Sequence, residues 1–146
     1  MKIELDMKFD FGDLLITPKR STLSSRSEVL LEREVVFKHS RRRWVGVPIL
    51  AANMDTTGTL EMYRVLSRHK MITCFHKHCD AYPSDLDPNY YALSTGIGER
   101  DWGRLVRLVD AMNPYFVVID VANGYSSTFV EFVKRVRARY SALTLI

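Results

Sequence analysis

The chain has 146 residues, 47% of them hydrophobic and 26% charged, with a formal net charge of +4. That is enough for one ordinary domain with a real core, and the composition excludes disordered and fibrous classes. No uncharged apolar run reaches membrane-spanning length. Lys2, Glu4, Asp6 and Lys8 interrupt any signal-peptide pattern, so the cytoplasm is the expected compartment.

Residues 1–46 read as an N-terminal extension. Thr17–Arg26 is rich in Ser, Thr and basic residues and predicts a loop. Leu31, Arg33, Val35 and Phe37 alternate with Glu32, Glu34 and Val36, the pattern of a half-exposed strand. His39–Arg43 is a polar turn, and Trp44-Val45 returns as a second strand, giving a hairpin outside the main sheet.

Residues 47–146 carry a strand–loop–helix rhythm. Apolar strands are predicted at Val47–Leu50, Met71–Phe75, Tyr91–Leu93 and Tyr115–Ile119, with a fifth beginning at Leu143–Ile146. Helices are predicted over Leu60–His69, on the stripe Leu60, Tyr63 and Leu66, and over Trp102–Met112, ended by Asn113-Pro114. Another carries Phe129, Phe132, Val133, Val136 and Tyr140, with capping-box spacing at Thr128 and Glu131 and dipole-complementing Arg137 and Arg139. Ala81–Asn89, with two prolines and little periodicity, reads as a loop. Consecutive βα units of this spacing imply a parallel α/β sheet with right-handed crossovers. Periodicity leaves open whether the sheet is doubly wound or part of a barrel.

In a parallel sheet all strand ends of one kind lie on one face, where α/β proteins build their sites. Four polar clusters fall there: Ala51-Ala52-Asn53-Met54-Asp55, His76-Lys77-His78, Ser94-Thr95-Gly96, and Asp120-Val121-Ala122-Asn123-Gly124. Asp120 either accepts hydrogen bonds from a ribose hydroxyl or amide, or caps the next helix. Asn123-Gly124 supplies a tight turn with positive φ. Strand alternation sets His76 and His78 on one face and Lys77 on the other, where a lysine neutralises phosphate or simply sits in solvent. Met54 packs either on a flat ring or in the core, and Asp55 anchors its loop or caps a helix.

Cys74 lies inside an apolar strand, where a small buried hydrophobe is the expected role. Cys79 borders a loop near His76 and His78, but no second ligand cluster accompanies them, so no metal site is assigned. Lys19-Arg20, Arg41-Arg42-Arg43 and Lys134–Arg139 are basic, yet no aromatic-interleaved stripe or nucleic-acid module goes with them. Surface solvation and some attraction for phosphorylated ligands is the expectation, with neither nucleic acid nor membrane as partner.

Taken together, several segments resemble the GMP reductase branch of the family shared with IMP dehydrogenase. They are Phe11–Leu15, Pro18–Leu23 with Ser25–Val29, Gly46–Ile49 through Thr56, His76-Lys77-His78, Ser94-Thr95-Gly96, and Ile119–Ser126 continuing into Phe129–Lys134. Nearly the whole chain is covered, in order. The resemblance implies a (β/α)8 barrel, of which 47–146 would be about the first half: four βα units and the start of strand five. It implies NADPH-dependent conversion of GMP to IMP with release of ammonia, in a homotetramer. Ser25 and Arg26 match positions that contact NADPH from a neighbouring subunit. Lys77 matches a cofactor-site lysine, Asp120, Val121 and Ala122 match the nicotinamide side, and Met54 lies where the purine packs. The family's nucleophilic cysteine, its Thr/Glu proton-handling pair and the potassium site match nothing here and are expected beyond Ile146. The chain alone is therefore expected to be inactive. An alternative role is a non-catalytic form that associates with full-length subunits and modulates them. The regulatory module that most IMP dehydrogenases insert after the second barrel unit has no room in Cys79–Asn89.

Overall fold

The computed structural model describes residues 5–146. The chain divides into two compact units, Met1–Leu30 and Leu31–Ile146. Every described residue of the first unit is exposed. Among its described residues the regular elements are two single 3-10 turns, Phe11–Asp13 and Arg26–Glu28. Asp10 caps the first and Ser25 the second, each offering its side-chain oxygen to an otherwise unpaired backbone N–H.

The second unit begins with the expected hairpin. Strands β1 (Arg33–Val36) and β2 (Arg43–Gly46) pair antiparallel, Val35 opposite Trp44. Five further strands make a separate parallel sheet in chain order: β3 (Leu50–Ala51), β4 (Ile72–Cys74), β5 (Tyr91–Thr95), β6 (Phe116–Ile119) and β7 (Thr144–Leu145). Helices α1 (Leu60–Leu66, continued by a 3-10 turn to His69), α2 (Glu99–Met112) and α3 (Ser127–Arg139) connect β3 to β4, β5 to β6 and β6 to β7. The β4–β5 connection has no helix, as the prolines of Ala81–Asn89 foretell. Its Tyr82 and Leu86 pack against the core instead, and the Asp87 N–H donates to the Tyr63 hydroxyl at 2.7 Å.

Several boundaries differ from the sequence reading. The first sheet strand is shorter than Val47–Leu50 because Pro48 has no N–H to give a ladder; only Leu50 and Ala51 pair with β4. β5 runs two residues further than expected, so Ser94 and Thr95 belong to the strand rather than to the loop. α2 starts at Glu99, with the Asp101 carboxylate accepting from the Gly98 N–H at 3.0 Å. α3 is capped by Ser126, whose hydroxyl accepts from the Phe129 N–H at 3.2 Å, and not by Thr128. Arg137 sits at the C-terminal end of α3 and donates to the carbonyls of Ser141 and Leu143, where the dipole favours a cation.

The sheet buries both faces, as parallel sheets do. Tyr91, Leu93, Val117 and Ile119 pack with Leu105, Leu108 and Val109 of α2 and Phe132 and Val136 of α3. On the other face Ile72, Cys74, Ala92 and Phe116 pack with Trp44, against which Val35 and Phe37 also lie. Phe37 meets Phe116 edge-on with ring centroids 5.4 Å apart. The Trp44 indole donates to the Asn89 carbonyl at 2.8 Å, so its one polar atom is satisfied. Trp44 and Phe116 are 3% and 0% exposed; full burial of each such side chain stabilises by roughly 2–3 kcal/mol. The hairpin is thus a cover for one sheet face.

Candidate functional site

The carboxyl ends of β3 to β6 bring all four polar clusters to one end of the sheet. The Asp120 N–H donates to the Thr95 carbonyl at 2.9 Å, tying the end of β6 to that of β5. The Phe75 N–H donates to the Ala92 carbonyl at 2.8 Å, and the His76 N–H to the Gly58 carbonyl at 3.0 Å. The backbone of the β3–α1 loop therefore lies against the end of β4.

One side-chain bond spans the group. Asn53 Nδ2 donates to Asp120 Oδ2 at 3.0 Å. β3 and β6 are separated by β4 and β5, and three spacings of a flat sheet would hold them about 14 Å apart. A direct bond between loops at their ends requires the sheet to curl. The Asn53 amide fixes one carboxylate oxygen and leaves the other without a partner among the described residues. Asp120 does not cap α3, since Ser126 does.

His76, Lys77 and His78 lie beyond β4, in a turn, so strand alternation does not sort them. The His78 N–H donates to His76 Nδ1 at 3.3 Å, and the two imidazole centroids are 6.2 Å apart. Lys77 is exposed, and among the described residues its ammonium has no hydrogen bond or ion pair. The segment that follows is held from α2. Arg104, only 14% exposed, pairs with Asp80 Oδ1 at 2.6 Å. It also donates to the Ser94 carbonyl at 3.1 Å and to the Cys79 carbonyl. The same guanidinium holds the Asp80 carboxyl below its usual range. Ser94 Oγ, buried on the strand between them, has no partner.

Met54 is 59% exposed at the tip of the β3–α1 turn, where its carbonyl accepts from the Thr57 and Gly58 N–H groups; it is not a core residue. Asp55 is exposed and caps nothing, because Thr59 caps α1. Val121 is half-buried and Ala122 exposed. The Asn123-Gly124 turn is made without positive φ: no glycine has it among the described residues, and Asn123 Oδ1 accepts from the Tyr125 N–H at 3.0 Å instead. Ser25 and Arg26 belong to the first unit, Ser25 bound to Ser27 and both exposed. Cys74 is buried, and burial pushes its thiol up to about 11. Cys79 is half-buried, its thiol facing the Ala81 carbonyl at 3.4 Å. Among the described residues no group of three or more His, Cys, Asp or Glu is arranged to hold a metal ion. Nor is any helix among them long and apolar enough to cross a membrane. The sequence reading missed the pairing of Asn53 with Asp120 and the anchoring by Arg104.

Known proteins carry the same sequence pattern. A GMP reductase of Caenorhabditis elegans is 44% identical over 154 residues, covering 99% of this chain and 43% of its own. GMP reductase 1 of Mus musculus is 44% identical over 155 residues, and a GMP reductase of Salmonella typhi 46% identical over 155, each covering 99% of this chain and 44% of the relative. The chain is a relative of the GMP reductases. It spans less than half the length of these GMP reductases. The aligned stretches, 154 and 155 positions, exceed the 146 residues present, so the GMP reductases carry residues that this chain lacks within the matched region. No family model matches the chain. In fold it is similar to an inosine 5′-monophosphate dehydrogenase from Legionella pneumophila, with a TM-score of 0.69 at 21% identity, over 92% of this chain and 42% of that one.

Proposed function

We propose that this chain contributes the cofactor-facing part of a GMP reductase, which converts GMP to IMP and ammonia with NADPH. The curled parallel sheet is then about the first half of a (β/α)8 barrel, and 1–46 its extension. The supporting observation is the pairing of Asn53 with Asp120 across the strand ends, in a chain 44–46% identical to GMP reductases.

The residues present suit a dinucleotide. Asp120 keeps one carboxylate oxygen open to accept from ribose hydroxyls, and Lys77 offers an ammonium with no competing carboxylate. When bound, NADPH supplies the hydride. Asp120 orients the nicotinamide end, with Val121 and Ala122 forming a close backbone floor. Asn53 holds Asp120 in register. Exposed Met54 lies against the purine. Ser25 and Arg26 serve the cofactor of a neighbouring subunit in a homotetramer.

Neither cysteine suits the family's nucleophilic step. Nucleophilic attack needs a thiolate, and burial keeps the Cys74 thiol protonated near neutral pH. Cys79 points to a backbone carbonyl. On this reading the covalent purine adduct forms on a cysteine other than Cys74 or Cys79.

The test is a fluorescence titration of the chain with NADPH. Binding that weakens about tenfold or more in Lys77→Ala and in Asp120→Asn is expected. Wild-type affinity in both variants, or no binding by the wild type, would remove the reading.

A further inference from the structure

The opposite end of the sheet, where strands begin, carries a second polar hollow. A cavity of about 260 Å³ is lined by Arg42 of the hairpin turn, by Asn113 and Pro114 before β6, and by Arg139, Tyr140 and Leu143 before β7. None of these residues takes part in the site described above.

Arg42 is held in place without being satisfied. Its guanidinium lies over the Tyr115 ring, 3.5 Å from the centroid. The turn that carries it is fixed at three points. Ser40 Oγ and Thr144 Oγ1 are hydrogen-bonded at 2.7 Å, the Phe37 N–H donates to the Arg42 carbonyl at 3.0 Å, and the Arg41 N–H to the Phe37 carbonyl at 2.9 Å. Yet Arg42 Nε is buried and finds no acceptor. Among the described residues the guanidinium makes no ion pair either. Nε itself is closed to an incoming ligand, but the terminal Nη1 and Nη2 make no hydrogen bond among the described residues either, and they are the donors an acceptor in the hollow can reach.

The nearby carboxylate is already engaged. Asp110 Oδ2 lies 3.5 Å from Arg139 Nη2, and Asp110 Oδ1 accepts from the Tyr140 hydroxyl at 3.0 Å. Arg139 Nε in turn donates to that hydroxyl at 2.9 Å. Asp110 therefore offsets Arg139 and leaves the charge of Arg42 uncompensated. Asn113, in the left-handed conformation that ends α2, is exposed at the same rim and can add a neutral amide donor.

We propose that this hollow binds a phosphate-sized oxyanion, either inorganic phosphate or the phosphoryl group of a small phosphomonoester, received by the flat fork of Arg42 with Asn113 as second donor. A guanidinium clamped in one plane presents two parallel N–H groups, the geometry that oxyanions accept bidentately.

Titration calorimetry of the full chain tests this, with inorganic phosphate in one arm and ribose 5-phosphate in the other, against chloride of equal ionic strength. Saturable binding in either arm supports the site, and the tighter arm names its source. Arg42→Gln should abolish it. Arg42→Lys, which keeps the charge but not the fork, should weaken it about tenfold. Asn113→Ala should weaken it several-fold and still fold, since that residue is at the surface. Lys77→Ala should leave it unchanged. No binding beyond chloride would overturn the proposal, as would wild-type affinity in Arg42→Lys and Asn113→Ala together. Loss of binding in Lys77→Ala would also overturn it, because the anion would then sit at the other end of the sheet.

Discussion

Adding one methyl group at each of two glycines should move stability in opposite directions. Gly58 is buried where the β3–α1 loop touches the end of β4. A Cβ there would lie 2.2 Å from the Cys74 carbonyl oxygen, 2.9 Å from the His76 nitrogen and 3.1 Å from the Ala52 oxygen. All three are backbone atoms, so no side-chain rotation relieves the clash. Ordinary contact is about 3.5 Å, and the loop must therefore withdraw by on the order of 1 Å. That movement strains the bond from the His76 N–H to the Gly58 carbonyl. Overpacking of this kind costs about 3 kcal/mol, and the strained hydrogen bond adds about 1 kcal/mol. Gly103, in the exposed interior of α2, has nothing within 4 Å of a new Cβ. Alanine there removes a helix penalty and should add about 1 kcal/mol of stability. Urea unfolding measures both. With a slope of about 1.5 kcal/mol per molar, Gly58→Ala should lower the midpoint by about 2.7 M and Gly103→Ala raise it by about 0.7 M. A Gly58→Ala protein within 0.5 kcal/mol of wild type would refute the close backbone approach that seats His76 and Lys77 beside the β3–α1 loop.

Other outcomes follow from the same contacts. Ser126→Ala should cost about 1 kcal/mol in urea unfolding while Thr128→Ala costs little, because only Ser126 caps α3. Tyr63→Phe should cost about 1 kcal/mol and speed proteolysis near Asp87, whose N–H loses its acceptor. Burial raises the Cys74 thiol to about 11 and the Tyr91 phenol to about 12. Folding thus favours their protonated forms, a contribution present below the unfolded values of roughly 8.5 and 10 and lost as pH rises through the folded ones. Stability should accordingly fall from about pH 9 upward, and Cys74→Ala should remove the earliest part of that fall.

The parts of the structure legible in the sequence are those set by near neighbours along the chain. The stripes of α1, α2 and α3, the hairpin alternation around Val35 and Trp44, and the helix-free Ala81–Asn89 all follow from local spacing. Where local signals compete, the reading slipped. Thr128 has the spacing of a cap, but the last extended residue before α3 is Ser126, and its hydroxyl is the one that accepts from the Phe129 N–H. Asn123-Gly124 has the composition of a left-handed turn, but an Asn side chain closes it on the Tyr125 N–H. At the site, the strand ends were readable and the bonds between them were not. Asn53 and Asp120 lie 67 positions apart, and their meeting depends on the curl of the whole sheet. Arg104 carries no signal of its own in the sequence, because its three acceptors, on Asp80, Ser94 and Cys79, lie at the ends of two strands distant along the chain.

The most direct measurement is a double-mutant cycle on NADPH affinity with Asn53→Ala, Asp120→Asn and the pair. If the two side chains form one mouth around the cofactor, each single change weakens binding and the double variant is no weaker than Asp120→Asn alone, a coupling of about 1 kcal/mol or more. Strictly additive losses, or affinities unmoved by either change, would contradict that account.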